Sequence, residues 1–377
     1  MSERESRRVL LNDLRAQWAH HGPHVLEAVE AVGESGGWIL GSEVAAFETS
    51  LASRWGLAHC VGCGSGMDAI EIALRAAGLQ AGQRVLTTPL SAFATTLAIL
   101  RAGGVPVFVD VDDAGQLDLD LCESAVADDE GLRTIVPVHL YGHALDLARL
   151  AELRDRYALC VVEDCAQAIG ARSHGVPVGS VGELAAVSFY PTKNLGAMGD
   201  GGAILTNKEE RAAAARALRD YGQTQKYHHD HLGLNSRLDE LHAAILGRVF
   251  LPDLERSTAR RREIAARYTA EIDHARLEIP PIPPGSESVW HLYPIRVPED
   301  REAFRAHLDA RGIASAVHYP ILIPDQKALA SSRSESVRTP LPRAQRFAET
   351  ELSLPIHPYL TDRDVERVID ACNCWHD

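Results

Sequence analysis

Three segments near the middle of the chain decide its fold: 159-LCVVEDCAQ-167, 184-LAAVSFYPTKN-194 and 199-GDGGAILT-206. Each contains a short apolar run in which polar residues do not alternate. Such runs predict strands that are buried on both faces, as in a parallel sheet. Polar residues follow the first two runs directly, so they are predicted to lie at strand ends.

Similar apolar runs recur between residues 43 and 220 and alternate with helical patterns. The predicted strands are 59–62, 85–88, 107–110, 134–138, 159–163, 185–189 and 203–206. The predicted helices between them are 68–77, 92–102, 118–127 and 146–157. This alternation predicts a doubly wound α/β domain, with a mainly parallel central sheet flanked by helices.

The pattern changes beyond residue 236. A helical stretch is predicted over 236–275, with a break at Pro252, and the proline-rich segment 279–288 predicts a hinge. The rest predicts a strand at 290–297, a helix at 302–311, a strand at 314–319 and a helix from Asp362. We therefore predict a large domain over 1–250, including an N-terminal segment, and a linking helix with a smaller C-terminal α+β domain over 251–377.

The composition narrows the range of partners. The 377 residues carry a net charge of −14, from 52 acidic and 38 basic side chains. An acidic chain without a basic cluster is a poor binder of nucleic acid. No apolar run reaches the ~20 residues that a membrane-spanning helix needs, and the apolar run near the N-terminus is too short for a secretory signal. We expect neither nucleic acid nor a membrane as partner, and a cytoplasmic protein.

Two groups of side chains raise the possibility of a metal site. Cys60 and Cys63 could bind zinc together with Cys372 and Cys374, and the stretch 228–231 is HHDH. Because 59–62 is predicted as a strand, buried thiols are the more common outcome for the first pair. A polar loop accounts for the histidines. We predict no metal, and no disulfide scaffold in a large chain with seven cysteines.

A glycine-rich turn, 62-GCGSGMD-68, follows the first predicted strand and begins a helix. Small residues let a ligand approach the backbone closely. The N–H groups of Gly66 and Met67 would point out of the helix N-terminus, which favours a phosphate. An ordinary tight turn is the alternative.

Asp164 and Lys193 follow two other predicted strands. A carboxylate at the end of a buried strand needs a partner, which for Asp164 is either a cation in the cleft or the next helical turn, as an N-cap. Lys193 is either a surface lysine or a nucleophile whose pKa is lowered by burial beside Phe189 and Tyr190. A phosphate cradle, a strand-end acid and a later lysine occur in the order that pyridoxal 5′-phosphate requires.

These residues resemble motifs of the DegT/DnrJ/StrS family of sugar aminotransferases, which depend on pyridoxal 5′-phosphate. The resemblance runs nearly from end to end and rests on the stretches 11-LNDL-14, 40-LGSEV-44, 137-PVHLYG-142, 163-EDCAQ-167, 188-SFYPTKN-194, 199-GDGG-202 and 235-NSRLDEL-241. It implies the aspartate-aminotransferase-like (type I) fold and a transferase that moves an amino group.

The resemblance also implies roles for individual residues. Lys193 would bind the cofactor covalently and move a proton, and Asp164 would pair with the ring nitrogen. The remaining cofactor contacts would come from Ser65, Gly66, Met67 and Ser188 at the phosphate, Phe93 on the ring face, Gln167 at the ring hydroxyl, and Asn235 of a partner subunit. The protein would therefore be a homodimer with shared active sites.

The stretches 235-NSR-237 and 318-HYP-320 resemble the branch of the family that aminates 3-keto-6-deoxy sugar nucleotides. This similarity implies L-glutamate as donor and a keto sugar nucleotide, such as a dTDP-3-keto-6-deoxyhexose, as acceptor. The implied substrate contacts are Tyr190, His318 and Tyr319. One alternative is a keto-cyclitol aminated from glutamine, and another is a regulatory protein that binds the cofactor without turnover.

The chain departs from the family pattern at three places. Met67 and Ala92 stand where threonine is common, and Ile323-Pro324 stand where a histidine often follows the HYP motif. Met67 keeps its backbone N–H but cannot offer a hydroxyl to the phosphate. The third departure lies near the sugar pocket of relatives, so it bears on the substrate more than on the cofactor.

Overall fold

The computed structural model describes residues 8–330 and 336–375. Nine strands precede residue 210: β1 (His59–Cys63), β2 (Arg84–Thr87), β3 (Val105–Phe108), β4 (Thr134–Val136), β5 (Cys160–Asp164), β6 (Arg172–Ser173), β7 (Val176–Pro177), β8 (Leu184–Ser188) and β9 (Gly202–Thr206). Seven of them form the central sheet in the order β1-β9-β8-β5-β4-β2-β3. β9 is antiparallel to both neighbours, whereas β8, β5, β4, β2 and β3 are parallel. The mainly parallel sheet is confirmed.

Helices cover both faces of this sheet: α1 (Leu14–Ser35), α2 (Ser42–Trp55), α3 (Gly66–Ala76), α4 (Phe93–Arg101), α5 (Leu119–Asp128), α6 (Leu147–Tyr157), α7 (Glu209–Arg219), α8 (Glu240–Ile245) and α9 (Leu251–Glu271). α3, α4 and α7 pack on one face. On the other face, α1, α2 and α8 cover β1, β8 and β9, while α5 and α6 cover the remaining strands. Because both faces are covered, the strands are apolar on both sides.

The C-terminal part combines helices and short strands. Its elements are β12 (Ser286–Glu287), β13 (Tyr293–Arg296), α10 (Arg301–Ala310), α11 (Pro342–Thr350), β14 (Glu351–Leu354) and α12 (Asp362–Asn373), preceded by the exposed pair β10 (Gln223–Gln225) and β11 (His228–His229). β13 and β14 pair in antiparallel fashion. With α9, α10 and α12 they form a second apolar cluster, which also contains Val9. The division of the chain at residue 250 stays a prediction.

The helix predicted over 236–275 differs from the prediction in its start and in its irregularity. It begins at Glu240, passes through a π-helical turn at Leu246–Phe250 and continues as α9 to Glu271. Pro252 lies directly after the π-helical turn and does not end the helix, so the irregularity at this point is a π-helical turn within a continuous helix. The structure also contains elements that were not predicted: α1, α2, α7, α11, β14 and the short strands β6, β7, β10, β11 and β12.

The strand predicted at 314–319, within the described residues, is absent. Ala316 forms only an isolated bridge with Ser353 of β14. The backbone N–H of His318 donates to the carboxylate of Glu351 (2.6 Å), so a side chain takes the place of a neighbouring strand. Among the described residues, no helix is long and apolar enough to cross a bilayer.

Candidate active site

The carboxyl ends of β1, β5 and β8 meet at one edge of the sheet. β8 is parallel to β5, and β1 has the same direction because both β1 and β8 are antiparallel to β9. The chain leaves β1 into the glycine-rich turn, leaves β5 at Asp164 and leaves β8 at Ser188, a few residues before Lys193. Three separate segments that were predicted to carry the site therefore come together, as is usual in open α/β sheets.

The candidate anion cradle lies at the start of α3. Ser65 is the N-cap, and its hydroxyl accepts the N–H of Asp68 (3.1 Å). A Cβ placed on Gly66 would lie only 2.5 Å from the Cβ of Ser188, so the helix terminus is packed directly against the end of β8. The first N–H groups of a helix have no acceptor within it, which leaves them for a ligand. Met67 packs into the apolar cluster beneath α3, so only its backbone faces the cradle.

Ser236 stabilises this cradle, a role that the sequence did not reveal. Its hydroxyl accepts the N–H of Gly64 (2.9 Å) and donates to the carboxylate of Asp68 (2.8 Å). The neighbouring Asn235 is exposed and forms a backbone bridge with Asp220. The segment around residue 236 is thus fixed to the glycine-rich turn, while Asn235 remains accessible from outside the chain.

Asp164 is a buried acid at the end of β5, only 3% exposed. Its Oδ2 accepts the hydroxyl of Thr95 (2.8 Å), and its Oδ1 accepts the N–H of Ala166 (3.0 Å). Burial raises the pKa of Asp164, and these hydrogen bonds and the charge of Lys193 only partly oppose the effect. The Ala166 contact resembles the predicted capping role, but a buried carboxylate of this kind also gains from a cation such as a protonated pyridine nitrogen. Thr95 was not predicted as a site residue.

Lys193 lies in the same cleft. Burial lowers the pKa of its amine to about 8, and the negative charge of Asp164 opposes this shift. An ordinary surface lysine has a pKa of about 10.4 and is almost fully protonated at neutral pH. The environment of Lys193 therefore fits a nucleophile and proton carrier better than a surface lysine, as in enzymes that hold a carbonyl cofactor on lysine.

One wall of the cleft is tied together around Gln167. Its Oε1 accepts the N–H of Tyr141 (2.7 Å), and its Nε2 donates to the hydroxyl of Tyr319 (3.1 Å). The hydroxyl of Tyr141 donates to the carbonyl oxygen of His318 (2.8 Å). These bonds join the HYP stretch of the C-terminal part to the end of β5. Tyr190, in contrast, is 53% exposed.

Phe93 begins α4 and is half-buried. It packs against an apolar cluster formed by Phe108, Ile323 and Leu329. Ile323 is only 2% exposed, so it supports Phe93 from within the protein and does not form an open wall of a pocket. The departure from the family pattern at this position therefore changes the packing behind the aromatic ring.

His291 was not predicted as a site residue. It is 7% exposed, and its Nδ1 lies 3.2 Å from Oδ1 of Asn194. Asn194 also donates to the carbonyl of Val289 (2.9 Å). Burial and the charge of Lys193 lower the pKa of His291 well below its usual range, which keeps the imidazole neutral. Only the position of Asn194 beside Lys193 could have indicated this contact.

In the part of the chain that the structure describes, one group of potential metal ligands comes together: His139, Glu163 and Cys165. Hydrogen bonds of Glu163 explain why these side chains lie together without a metal ion. Glu163 accepts the imidazole N–H of His139 (2.9 Å) and three backbone N–H groups between residues 179 and 182. Cys60 and Cys372, considered above as zinc ligands, lie in different apolar clusters.

A seven-stranded, mainly parallel sheet with an anion cradle, a buried acid and a lysine of lowered pKa at one edge defines a pyridoxal phosphate enzyme of the aspartate-aminotransferase-like fold. The chain belongs to the DegT/DnrJ/EryC1/StrS aminotransferase family, whose pattern matches residues 20–373. It is an aminotransferase, and pyridoxal phosphate is its cofactor.

Two relatives match nearly end to end. A dTDP-3-amino-3,4,6-trideoxy-alpha-D-glucose transaminase from Streptomyces venezuelae is 42% identical over 376 residues, which are 99% of this chain and 98% of the relative. A pleiotropic regulatory protein from Geobacillus stearothermophilus is 42% identical over 361 residues, 95% of this chain and 96% of the relative.

Solved structures have the same fold. The crystal structure of DesV from S. venezuelae superimposes with a TM-score of 0.92 at 41% identity, covering 98% of each chain. The structure of NtdA from Bacillus subtilis, with the bound cofactor PMP, has a TM-score of 0.90 at 29% identity and covers 99% of this chain and 86% of that one.

Proposed function

We propose that the protein transfers an amino group from L-glutamate to a keto sugar nucleotide, such as a dTDP-3-keto-6-deoxyhexose. The observation that carries the chemistry is the pairing of Asp164 and Lys193 at one edge of the sheet, where burial shifts their two pKa values in opposite directions. The relative from S. venezuelae, named as a sugar nucleotide transaminase, supports the substrate class.

The residues of the cleft fit pyridoxal phosphate at two points. The cradle of Ser65, Gly66, Met67 and Ser188 suits its phosphate, and the buried carboxylate of Asp164 suits its protonated ring nitrogen. When bound, the cofactor supplies an electron sink through which an amino group can be exchanged between two substrates. Phe93 would stack on the ring, and the remaining N–H of Gln167 would reach the ring hydroxyl.

Lys193 and Asp164 would divide the work of proton handling. A pKa of about 8 leaves an appreciable neutral fraction of Lys193 near neutral pH, so its amine could take a proton from the α-carbon of the donor and pass it to the cofactor. In the second half-reaction it would carry a proton in the opposite direction, to the carbon that receives the amino group. Asp164, held by Thr95, would keep the ring nitrogen protonated. Tyr190, His318 and Tyr319 would contact the sugar nucleotide.

We also propose a homodimer with shared active sites. Asn235 is exposed on a segment that Ser236 anchors to the glycine-rich turn, a position that suits contact with a second subunit. From there its amide would reach the phosphate cradle of the partner. The expected location is the cytoplasm.

The first experiment is an absorbance spectrum of the protein with pyridoxal phosphate, before and after L-glutamate is added. The natural chain should show a visible band that L-glutamate discharges, and Lys193→Ala should lack that band. Lys226→Ala is the matched control, because Lys226 is an exposed lysine whose observed contact is the ring of Tyr227. A missing band in the natural chain, or an unchanged band in Lys193→Ala, would contradict the proposal.

Product analysis then separates the substrates. A dTDP-3-keto sugar with L-glutamate should give the amino sugar nucleotide, whereas amination of a keto-cyclitol from glutamine would replace this proposal. A band that no amino donor discharges would favour a regulatory protein, an alternative that the name of the Geobacillus relative keeps open.

A further inference from the structure

Behind the HYP stretch, three polar side chains form one hydrogen-bonded chain. Glu351 and Ser353 lie on β14 and are fully buried. The hydroxyl of Ser353 lies 2.5 Å from Oε1 of Glu351 and 2.9 Å from Nδ1 of His318. The other oxygen of Glu351, Oε2, accepts the backbone N–H of His318 (2.6 Å). A buried carboxyl group is thereby connected to an imidazole of the cleft.

The donor-to-acceptor direction of these hydrogen bonds depends on whether Glu351 carries a proton. Because Oε2 of Glu351 is already an acceptor, any proton on Glu351 lies on Oε1 and faces Ser353. A protonated Glu351 donates to Ser353, which donates to Nδ1 of His318, so the imidazole carries its own proton on Nε2. An ionised Glu351 reverses both bonds, which places the imidazole proton on Nδ1 and leaves a lone pair on Nε2.

Burial favours the protonated form of Glu351, and it outweighs the hydrogen bonds from Ser353 and His318 and the charge of Arg301, which favour the ionised form. Arg301 of α10 is a nearby cation, but its guanidinium donates to the backbone oxygens of Ala348 (2.6 Å) and Glu351 (3.4 Å). Tyr141 and Tyr319 are the titratable groups whose pKa Glu351 influences from the cleft side. In the described part of the chain, the Glu351 carboxylate has no ion pair, and burial raises its pKa to about 8.

His318 stays neutral and lies close to the reacting lysine. Burial and the charge of Lys193 lower the pKa of His318 to about 4. Nδ1 is turned toward Ser353, so Nε2, on the opposite side of the ring, is left for the cleft. No hydrogen bond to Nε2 is present among the described residues.

We propose that Glu351 and Ser353 are positioning residues that keep His318 in its Nε2–H form, so that His318 donates a hydrogen bond to a substrate oxygen beside the carbon that receives the amino group. The identity of this substrate rests on the proposed function above. The position of the imidazole proton does not, because it is a property of the protein itself. The two parts can therefore be tested separately.

The imidazole proton can be located by ¹⁵N NMR of histidine-labelled protein, with the His318 signals assigned from their loss in His318→Gln. The natural chain should show Nε2–H at about pH 7 and change to Nδ1–H as the pH rises through about 8. Glu351→Gln should stay Nε2–H across this range, because the amide oxygen must accept the His318 N–H and the amide N–H then donates to Ser353.

A matched control and a second variant keep this test sharp. Glu349→Gln alters an exposed glutamate on the neighbouring α11, two positions away, and should keep the pH-dependent change. Ser353→Ala interrupts the chain, so the signals of His318 should no longer follow Glu351. Nδ1–H in the natural chain at about pH 7, or a pH-dependent change that persists in Glu351→Gln or in Ser353→Ala, would overturn the proposal.

Kinetics test the contact with substrate. Between about pH 7 and pH 9.5, the natural chain should lose about tenfold more of its kcat/KM for the keto sugar nucleotide than Glu351→Gln does, since a donor in the cleft becomes an acceptor. For the half-reaction with L-glutamate, the natural protein and Glu351→Gln should have the same pH profile, because titration of Lys193 affects both equally. Equal pH profiles in the sugar step would overturn the role of His318 as a donor. A natural chain that aminates no keto sugar contradicts the proposed function, and the NMR result still decides the positioning role.

Discussion

Gly66 makes the fold and the phosphate cradle depend on each other, and Gly66→Ala tests this dependence. An added Cβ would lie 2.5 Å from Cβ, 2.8 Å from Oγ and 3.1 Å from Cα of Ser188. Carbon atoms in contact are normally about 3.5–4.0 Å apart, so the overlap is about 1 Å. Ser188 cannot give way easily, because it pairs with Gly202 of β9 at the end of a buried strand. The start of α3 must therefore move.

This movement should lower both the stability of the protein and its affinity for the cofactor. Forcing a methyl group into a packed contact typically costs about 1–3 kcal/mol, so the unfolding midpoint of the cofactor-free protein should fall. A shift of about 1 Å also exceeds the ~0.5 Å tolerance of a well-formed site. Loss of one or two N–H contacts to the phosphate, at about 1.5–3 kcal/mol each, should weaken cofactor binding at least tenfold.

Both effects are measurable on the same samples. Pyridoxal phosphate is titrated into cofactor-free protein and followed by absorbance, and thermal unfolding is recorded without cofactor. Gly33→Ala is the control, because Gly33 is a helical glycine in α1 with no atom within 4 Å of an added Cβ. Alanine there should leave cofactor binding unchanged and raise stability slightly. If Gly66→Ala bound the cofactor within twofold of the natural chain and unfolded at the same temperature, the packing argument would be wrong.

Three further predictions concern buried carboxyl groups. Asp164→Asn should raise the temperature at which the cofactor-free protein unfolds at about pH 8, because burial raises the pKa of Asp164 and makes its ionised form unfavourable. The same variant should have no transaminase activity. A lower unfolding temperature would contradict this prediction. The pKa of Glu351 rises from 4.5 to about 8 on folding, so the folded chain retains a proton that the unfolded chain releases between these values. Urea unfolding should therefore show stability falling by about 1.4 kcal/mol per pH unit from about pH 6 to 8, and Glu351→Gln should lack this slope. The carboxylate of Glu240 accepts three backbone N–H groups at the start of α2 and so caps this helix. Glu240→Gln keeps only one acceptor oxygen and should lower the free energy of unfolding by about 2–3 kcal/mol. An unchanged free energy of unfolding would refute this role of Glu240.

The central sheet was predictable because burial on both faces leaves a local signal. A strand such as β8, LAAVS, is apolar up to its last residue, and that pattern depends on no distant residue. Parallel strands also place their carboxyl ends at one edge, so the meeting of Asp164 and Lys193 followed from strand order in the chain. The resemblance to the family motifs then implied which of these residues contact pyridoxal phosphate. These parts of the site depend on residues within, or directly after, single strands.

The segment Glu351–Leu354 shows why other parts were missed. Its sequence ELSL alternates polar and apolar residues, a pattern typical of a strand with one face in water. In the structure both faces are buried, because the stretch around His318 covers the polar face and satisfies Glu351 and Ser353 by hydrogen bonds. The same contact uses the N–H of His318 that a strand at 314–319 would have needed. Partners 33 and 35 residues apart in sequence leave no local pattern.

Asp164 and Glu351 show how surroundings assign different chemistry to two buried carboxyl groups. Burial raises the pKa of both. Asp164 has two hydrogen-bond donors and the charge of Lys193 nearby, so its ionised form is available when a ring nitrogen must be held as a cation. The cation near Glu351 is Arg301, whose guanidinium donates to backbone oxygens, and burial favours the neutral, protonated form of Glu351. One acid therefore provides a charge to the cleft, while the other provides a proton whose position orients His318.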